Sequence, residues 1–282
     1  MSIPYMGSKS KLAKPIVQHI LQHNPKCEHV FDLFGGGAAI SEEFLKQGKK
    51  VLYNELNTGV CNLLRKIRDD GVTDEFFNWV SREQFNELKS NDDWKGGLVK
   101  CCWSFGNNQK DYLFGKDIEE LKCSAHEYLM ANGYNRTVES RIKLLKQFKK
   151  DSGIIDRFYL QRLQKLERLQ ILERLQSLER LQITNLSYEL VEINTPIEST
   201  IIYLDPPYLG TTKYAEGNGL NYDELYKWII ESPYKVYMSE YNAPFECVKE
   251  FIHRCTLSAT ANNKKIERLF CNQPEKIKTT LF

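Results

Sequence analysis

The sequence lacks the features that mark membrane proteins, secreted proteins and zinc proteins. No apolar run in the 282 residues reaches membrane length, and the N-terminal segment MSIPYMGSKSK has no signal-peptide pattern. The eight cysteines form no C-x-x-C pair, and the adjacent Cys101 and Cys102 suit neither a zinc knuckle nor an easy disulfide. We therefore expect a cytoplasmic protein with reduced thiols, no structural metal and no membrane partner.

The chain also lacks a strong excess of charge of either sign. Its formal net charge is +2, and its 41% hydrophobic and 27% charged residues are ordinary for a globular protein. Bulk electrostatics therefore neither requires nor excludes nucleic acid, and any basic face must be local. Residues 46–50, 143–150 and 262–268 are the candidate basic runs.

Residues 201–209, IIYLDPPYL, carry the strongest chemical pattern. The apolar start predicts a short buried strand of a parallel sheet. Because Pro206 and Pro207 have no N–H to donate, the chain must leave the sheet at Asp205, at the end where α/β sheets bind ligands. The carboxylate and the Tyr208 ring suit a flat heterocycle with an exocyclic amine. Taken alone, the pattern also fits an ordinary turn.

Residues 29–40, HVFDLFGGGAAI, predict the first strand, turn and helix of a nucleotide-binding sheet. They depart from a dinucleotide fingerprint, because Ile40 occupies the third glycine position and Asp32 would repel a pyrophosphate. Asp32 would instead attract a ligand ammonium, which favours S-adenosylmethionine over NAD. Glu55 lies 20 residues after Gly35, the usual spacing for an acid that binds ribose hydroxyls. Its alternative role is to cap the next helix.

The N-terminal segment Y-M-G-S-K precedes an amphipathic helix that extends to about residue 22. Gly7 would let the backbone approach a ligand, and Lys9 would place a cation near the start of the helix. On its own, this short segment fits a surface turn equally well.

Taken in order, these motifs resemble the Dam-like class of adenine-N6 DNA methyltransferases. That class carries a Y-x-G-x-K element, a D-x-F-x-G-x-G-like cofactor loop, an acidic second strand, a target-recognition insertion and then DPPY. The resemblance covers nearly the whole chain except its middle. It implies an α/β fold with a Rossmann-like S-adenosylmethionine-dependent methyltransferase sheet and a mostly helical insertion, in a protein of bacterial or phage origin.

The resemblance implies methyl transfer from S-adenosylmethionine to N6 of an adenine flipped out of double-stranded DNA. Asp205 and the Pro206 carbonyl would accept the amine's hydrogen bonds, and Tyr208 would hold the base. The implied catalytic residues are Asp205, Pro206, Pro207 and Tyr208. The implied cofactor-binding residues are Tyr5, Gly7, Lys9, Asp32, Phe34, Gly35, Gly37, Glu55, Ser187, Tyr188 and Asp205. Ser187 departs from the class, which usually has an Asp there, so a carboxylate contact to the cofactor's adenine is in doubt.

The middle of the chain predicts a target-recognition insertion at 85–156, between catalytic segments 1–84 and 183–282. Residues 91–115 are rich in Asn, Gly, Lys and aromatics without clean periodicity, and these residue types contact phosphates and base edges. We expect a DNA-facing loop at 104–110, although an irregular loop without a ligand has the same composition. The expected DNA-binding residues are Ser104, Asn107, Asn108, Gln109, Lys110 and Lys213.

A leucine recurs at every third position within 160–182, among strong helix formers. Three residues fall short of one helical turn by about 60°, so the leucines would spiral around a helix. We expect a helix at 157–182 that connects the insertion to the sheet, with some leucines exposed or buried by self-association. The other predicted elements are helices at 115–130, 138–150 and 222–231, a return to the sheet at 182–191, a strand at 235–239, a closing loop at 210–219 and a hairpin of 255–260 with 266–271.

Other function classes stay open at this point. A cytosine-N4 enzyme commonly has Ser in place of Asp205, and glutamine methylation in the same superfamily normally uses NPPY, so Asp205 favours adenine. An RNA adenine methyltransferase would use the same pocket. A catalytically inactive DNA-binding relative is disfavoured because carboxylates clustered at one site are costly to keep without a ligand.

Overall fold

The computed structural model describes residues 3–131, 178–208, 220–254 and 264–273. The chain divides into two compact units, one from Met1–Ser8 with Thr58–Gln176 and one from Lys9–Asn57 with Ser177–Phe282. Among the described residues, no helix is long and apolar enough to cross a membrane. The boundaries predicted for the insertion, and the predicted start of the connecting helix at residue 157, stay predictions.

Seven α-helices and seven strands form the regular structure of the described residues. The helices are α1 (Ala13–Gln22), α2 (Ala39–Lys46), α3 (Thr58–Asp70), α4 (Arg82–Leu88), α5 (Trp94–Cys102), α6 (Glu119–Ala131) and α7 (Tyr222–Glu231). The strands are β1 (His29–Asp32), β2 (Lys50–Asn54), β3 (Leu181–Thr184), β4 (Thr200–Leu204), β5 (Lys235–Glu240), β6 (Glu246–Arg254) and β7 (Lys264–Cys271).

The second unit is built on one seven-stranded sheet with the order β3-β2-β1-β4-β5-β7-β6. Strands β1 to β5 are parallel, whereas β7 runs antiparallel to β5 and β6 antiparallel to β7. Strand β1 pairs with β2 on one side and β4 on the other, so the order of the chain reverses there. In open α/β sheets this switch point forms the crevice that receives ligands.

The central strand β4 shows why the sequence folds this way. All five residues of Thr200–Leu204 are buried, as expected for a parallel strand covered on both faces. The chain then leaves the sheet at the two prolines, as the sequence predicts. The α/β class is therefore confirmed.

In the first unit, helices α3 and α5 approach each other at two glycines. A Cβ atom on Gly97 would lie 2.0 Å from the Gly59 carbonyl oxygen, so only glycine fits at this crossing. Helix α4 begins with a capping box in which Ser81 and Gln84 bond each other's backbone amides. An aromatic cluster, with Trp79 stacked on Phe114, packs beside these helices.

Two predictions about elements need correction. Residues 91–115 are not irregular throughout, because Asp93 caps helix α5 by accepting a hydrogen bond from Gly96. The helix predicted at 115–130 begins four residues later, at Glu119. Strand Glu246–Arg254 pairs with Lys264–Cys271, and the first hairpin strand predicted at 255–260 lies outside the described residues.

The end of the leucine repeat also differs from its prediction as a helix. Residues Leu178–Arg180 form a 3-10 turn, and Leu181 then enters β3, where it pairs with Val51 of β2. The helix predicted at 138–150, the repeat up to residue 177 with its proposed self-association, and the closing loop with Lys213 lie outside the described residues.

Candidate active site

Two carboxylates lie at the carboxyl ends of the strands that flank the switch point. Asp32 is the last residue of β1 and is paired in register with Tyr203 of β4. Asp205 follows the last residue of β4 directly. The topology therefore brings the glycine-rich motif and the DPPY motif to one edge of the sheet.

Asp205 belongs to a compact cluster of four side chains. The Lys9 ammonium donates to Asp205 Oδ1 at 2.7 Å and lies 3.5 Å from Glu267 Oε1. The Tyr208 hydroxyl donates to Glu267, and the Lys9 Nζ lies 4.5 Å from the centre of the Tyr208 ring. The predicted residues Lys9, Asp205 and Tyr208 are thus brought together.

Burial and neighbouring charges set the protonation of this cluster. Burial raises the pKa of Asp205 to about 6, although the Lys9 ammonium opposes the rise. Burial opposes the charge on Lys9, but the carboxylates of Asp205 and Glu267 outweigh it and raise the pKa of Lys9. Burial and the same two carboxylates raise the pKa of Tyr208 far above its usual value. Near neutral pH, Lys9 is therefore charged and Tyr208 is a neutral hydrogen-bond donor.

Asp32 has one oxygen that is satisfied and one that is not. Its Oδ2 accepts a hydrogen bond of 2.6 Å from the Ser41 hydroxyl. Its Oδ1 is buried and has no hydrogen-bond partner among the described residues. Burial raises the pKa of Asp32 to about 7. Because a buried acceptor without a donor is costly, this oxygen is suited to a ligand with a hydrogen-bond donor or a positive charge.

The glycine-rich loop lies directly on the ring of Tyr53. A Cβ atom on Gly35 would lie 2.1 Å from that ring, and the Tyr53 hydroxyl donates to the Gly36 carbonyl at 2.7 Å. Gly36 has a φ of +47°, in the region that glycine adopts most easily. Gly37 is buried in the same turn.

Glu55 bridges the loop and the segment that follows β2. One of its oxygens accepts from Gly36 N at 2.8 Å, and the other accepts from Asn57 N at 2.9 Å. The second bond is to the residue that immediately precedes helix α3. The first places the carboxylate against the glycine-rich loop, where the spacing predicts it.

Phe34 and Tyr188 form the apolar side of this region. Their ring centres are 5.5 Å apart, and Tyr188 also contacts Trp228 edge to face. The Ser187 hydroxyl donates to Glu189 at 2.5 Å, so in this arrangement its proton is already engaged. Tyr5 and Gly7 belong to the other unit, and their predicted cofactor contacts stay predictions.

The predicted DNA-facing loop is closed at its base in the first unit. Ser104 pairs with Tyr112 through an isolated β-bridge, and Phe105 N donates to the Asp111 carbonyl at 2.8 Å. Ser104 is buried, and its hydroxyl donates to the Lys100 carbonyl at 2.5 Å. The Asn108 side chain accepts from two loop amides. Ser104 and Asn108 therefore shape the loop.

The tip of the loop is partly exposed, with residues 107–109 half-buried, and has an unusual backbone. Phe105 is 57% exposed, and Lys110 is also exposed. Asn107 and Gln109 have φ angles of +61° and +63°, which side chains other than glycine adopt rarely. Such conformations cluster at functional sites, where the surrounding structure enforces them.

Two further acidic residues lie at the site, and sequence reasoning missed one of them, Glu267. Glu267 comes from β7, and Glu240 ends β5, where it accepts from the Tyr222 hydroxyl at 2.9 Å. The same Tyr222 hydroxyl lies 2.5 Å from the Pro207 carbonyl and so contacts the DPPY tip. The sequence does hold a signal for Glu267. It lies two residues before Leu269 on the predicted strand, so the two side chains share the inward face.

The family comparison agrees with the resemblance that these motifs carry. A model of the family described as D12 class N6 adenine-specific DNA methyltransferase matches residues 5–279, nearly the whole chain. No curated protein matches the sequence.

Proposed function

Because the chain belongs to the D12 class of N6 adenine-specific DNA methyltransferases, we propose that Asp205 and the Pro206 carbonyl are the acceptors for its target adenine amine. The amine is a poor nucleophile, since its lone pair is delocalised into the ring. Two acceptors would draw its hydrogens out of the ring plane and concentrate the lone pair on N6. The protein needs no covalent intermediate for this chemistry, so the reaction requires no catalytic cysteine.

Tyr208 supplies the flat surface for the base in this proposal. Its hydroxyl is held by Glu267 and its ring lies edge to face with Tyr241 at 4.7 Å. A ring fixed at two sides can stack on a flipped-out adenine and orient N6. Pro207 contributes through the stiffness of the extended tip, which the Tyr222 contact supports.

The residues at the sheet edge fit S-adenosylmethionine, which supplies an activated methyl group when bound. The unsatisfied Oδ1 of Asp32 suits the cofactor's ammonium group. Glu55 would accept hydrogen bonds from the cofactor's ribose hydroxyls, and Phe34 and Tyr188 would contact the cofactor's adenine. Gly35 and Gly37 allow close approach of the backbone, and the Ser187 oxygen could accept a hydrogen bond.

The loop at 104–110 is the proposed contact with double-stranded DNA. Its exposed Lys110 suits a phosphate, and the side chains of Asn107 and Gln109 suit base edges. Phe105, exposed beside them, has the character of an apolar wedge. Ser104 and Asn108 would act by shaping the loop, and Lys213 stays a predicted DNA contact.

The single observation that carries this proposal is the position of Asp205 at the end of β4, paired with Lys9 and next to Tyr208. The test is incubation with labelled S-adenosylmethionine and either unmethylated DNA or RNA, followed by separation of the nucleosides. We expect label in N6-methyladenine from DNA alone. Label in N4-methylcytosine, or in RNA and not DNA, would contradict the proposal.

A further inference from the structure

We propose that Glu267 is a positioning residue of this active site, which holds the Tyr208 ring and the Lys9 ammonium in place beside Asp205. The inference rests on the proposed function, because it matters only if Asp205 and Tyr208 contact the target base. Glu267 lies on β7, far along the chain from both motifs that define the site.

Glu267 occupies an inward position of the β6–β7 hairpin where an apolar side chain would be expected. It is 3% exposed and the next inward residue, Leu269, is fully buried, whereas Ile266 is 38% exposed. Burying a carboxylate is costly unless the charge is paired and hydrogen-bonded. The partners of Glu267 therefore explain its position better than packing does.

Those partners are the groups that surround the catalytic carboxylate. Glu267 accepts the hydrogen bond of the Tyr208 hydroxyl and lies 3.5 Å from the Lys9 ammonium. Lys9 in turn donates to Asp205 at 2.7 Å and lies 4.5 Å from the centre of the Tyr208 ring. One carboxylate thus anchors both the ring that would stack on the base and the cation that orients Asp205.

Glu267 also changes the charge balance of the cluster. Two carboxylates share the single ammonium of Lys9, and the charge of Glu267 raises the pKa of Asp205, whereas Lys9 lowers it. The titratable groups that face Asp205 are Lys9, Asp32, Tyr203, Tyr208, Tyr222 and Glu267. Removal of the negative charge at Glu267 therefore lowers the pKa of Asp205 and keeps it ionised in more acidic medium.

The test compares Glu267→Gln and Glu267→Ala with Glu250→Gln as the control. Glu250 lies on the same hairpin, but its side chain is 51% exposed and pairs with Arg268. The readouts are the cofactor Kd and the methylation kcat at saturating cofactor and DNA, measured between about pH 5 and pH 8.

We expect Glu267→Ala to lower kcat by about 10- to 100-fold, as for loss of a buried hydrogen-bond partner, with a smaller effect on the cofactor Kd. Glu267→Gln keeps the shape and an acceptor oxygen, so it should retain much of the wild-type kcat. The fall of kcat on the acidic side of its pH profile, the acid limb, should move to lower pH. Glu250→Gln should match wild type in both the cofactor Kd and the kcat across the pH range. If Glu267→Ala fails to fold, the test rests on the pH dependence of kcat for Glu267→Gln alone.

An unshifted acid limb in Glu267→Gln would overturn the inference, as would a wild-type kcat in Glu267→Ala. Either result leaves the proposed function standing if wild type methylates DNA adenine. A wild-type protein that methylates no DNA would contradict the proposed function itself.

Discussion

Asp205 can accept hydrogen bonds from the target amine through both oxygens only while it is ionised. Its pKa is raised to about 6 by burial, so protonation removes the acceptor below that pH. We predict that kcat at saturating cofactor falls about tenfold per pH unit below about pH 6. The measurement is methylation rate against pH, with circular dichroism at each pH as the control for folding. A kcat that is level between pH 5 and pH 7 would contradict this role for Asp205.

Asp32 should link cofactor affinity to pH in the same direction. Its pKa is raised to about 7 in the free protein, and a bound ammonium favours the ionised form. Affinity for S-adenosylmethionine should therefore weaken as pH falls below about 7, by up to tenfold per unit. Calorimetric titrations from pH 5 to pH 7 measure this. Asp32→Asn should bind more weakly with little pH dependence, and an equal pH dependence in both proteins would argue against the contact.

At the residue scale, the position of a side chain is predictable from the sequence where its motif is tied to a strand end. Asp32 and Asp205 terminate parallel strands, and parallel strands present their carboxyl ends at one edge. Glu267 could not be found this way, because it comes from the middle of an antiparallel strand with no motif around it. Its role is visible only in the contacts with Lys9 and Tyr208.

At the scale of elements, the strands were predicted well and α5 was missed. Continuous apolar runs and the two prolines identify β4 from the sequence. Helix α5 contains Gly96 and Gly97, which disfavour helix, and it is stabilised by an approach to α3 that only glycine permits. Strand β6 was not predicted, because a register shift between Cys247 and Lys249 interrupts its alternation.

The α3–α5 crossing gives a stability prediction. In Gly97→Ala, the new Cβ would lie 2.0 Å from the Gly59 carbonyl oxygen, and backbone cannot give way cheaply. We expect a loss of about 1–3 kcal/mol in the free energy of unfolding, measured by urea denaturation. Lys95→Ala, on the same helix with a side chain 52% exposed, is the matched control and should change little. Equal stability of the two variants would contradict the close approach.

At the scale of the whole molecule, we expect DNA to be bound by positively charged side chains as well as by the active site. Lys110 is exposed on the loop at 104–110, whereas Lys26 is exposed at the amino end of the sheet, just before β1. Lys110→Ala should weaken binding to all DNA sequences alike and reduce the slope of log Kd against log salt by about 1. Fluorescence anisotropy across a salt series measures this. Lys26→Ala should leave the slope unchanged. Equal slopes in the two variants would contradict a contact between the loop and the DNA.

The most direct test of the central claim is methyl transfer by wild type and Asp205→Ala in a single turnover on unmethylated DNA. Cofactor binding is measured in the same preparations, so that loss of transfer is separated from loss of binding. We predict that Asp205→Ala still binds S-adenosylmethionine, while the rate of methyl transfer to N6 of adenine falls by about 10²- to 10⁴-fold. Transfer by Asp205→Ala at the wild-type rate would contradict the account, because Asp205 would then not be the acceptor for the target amine.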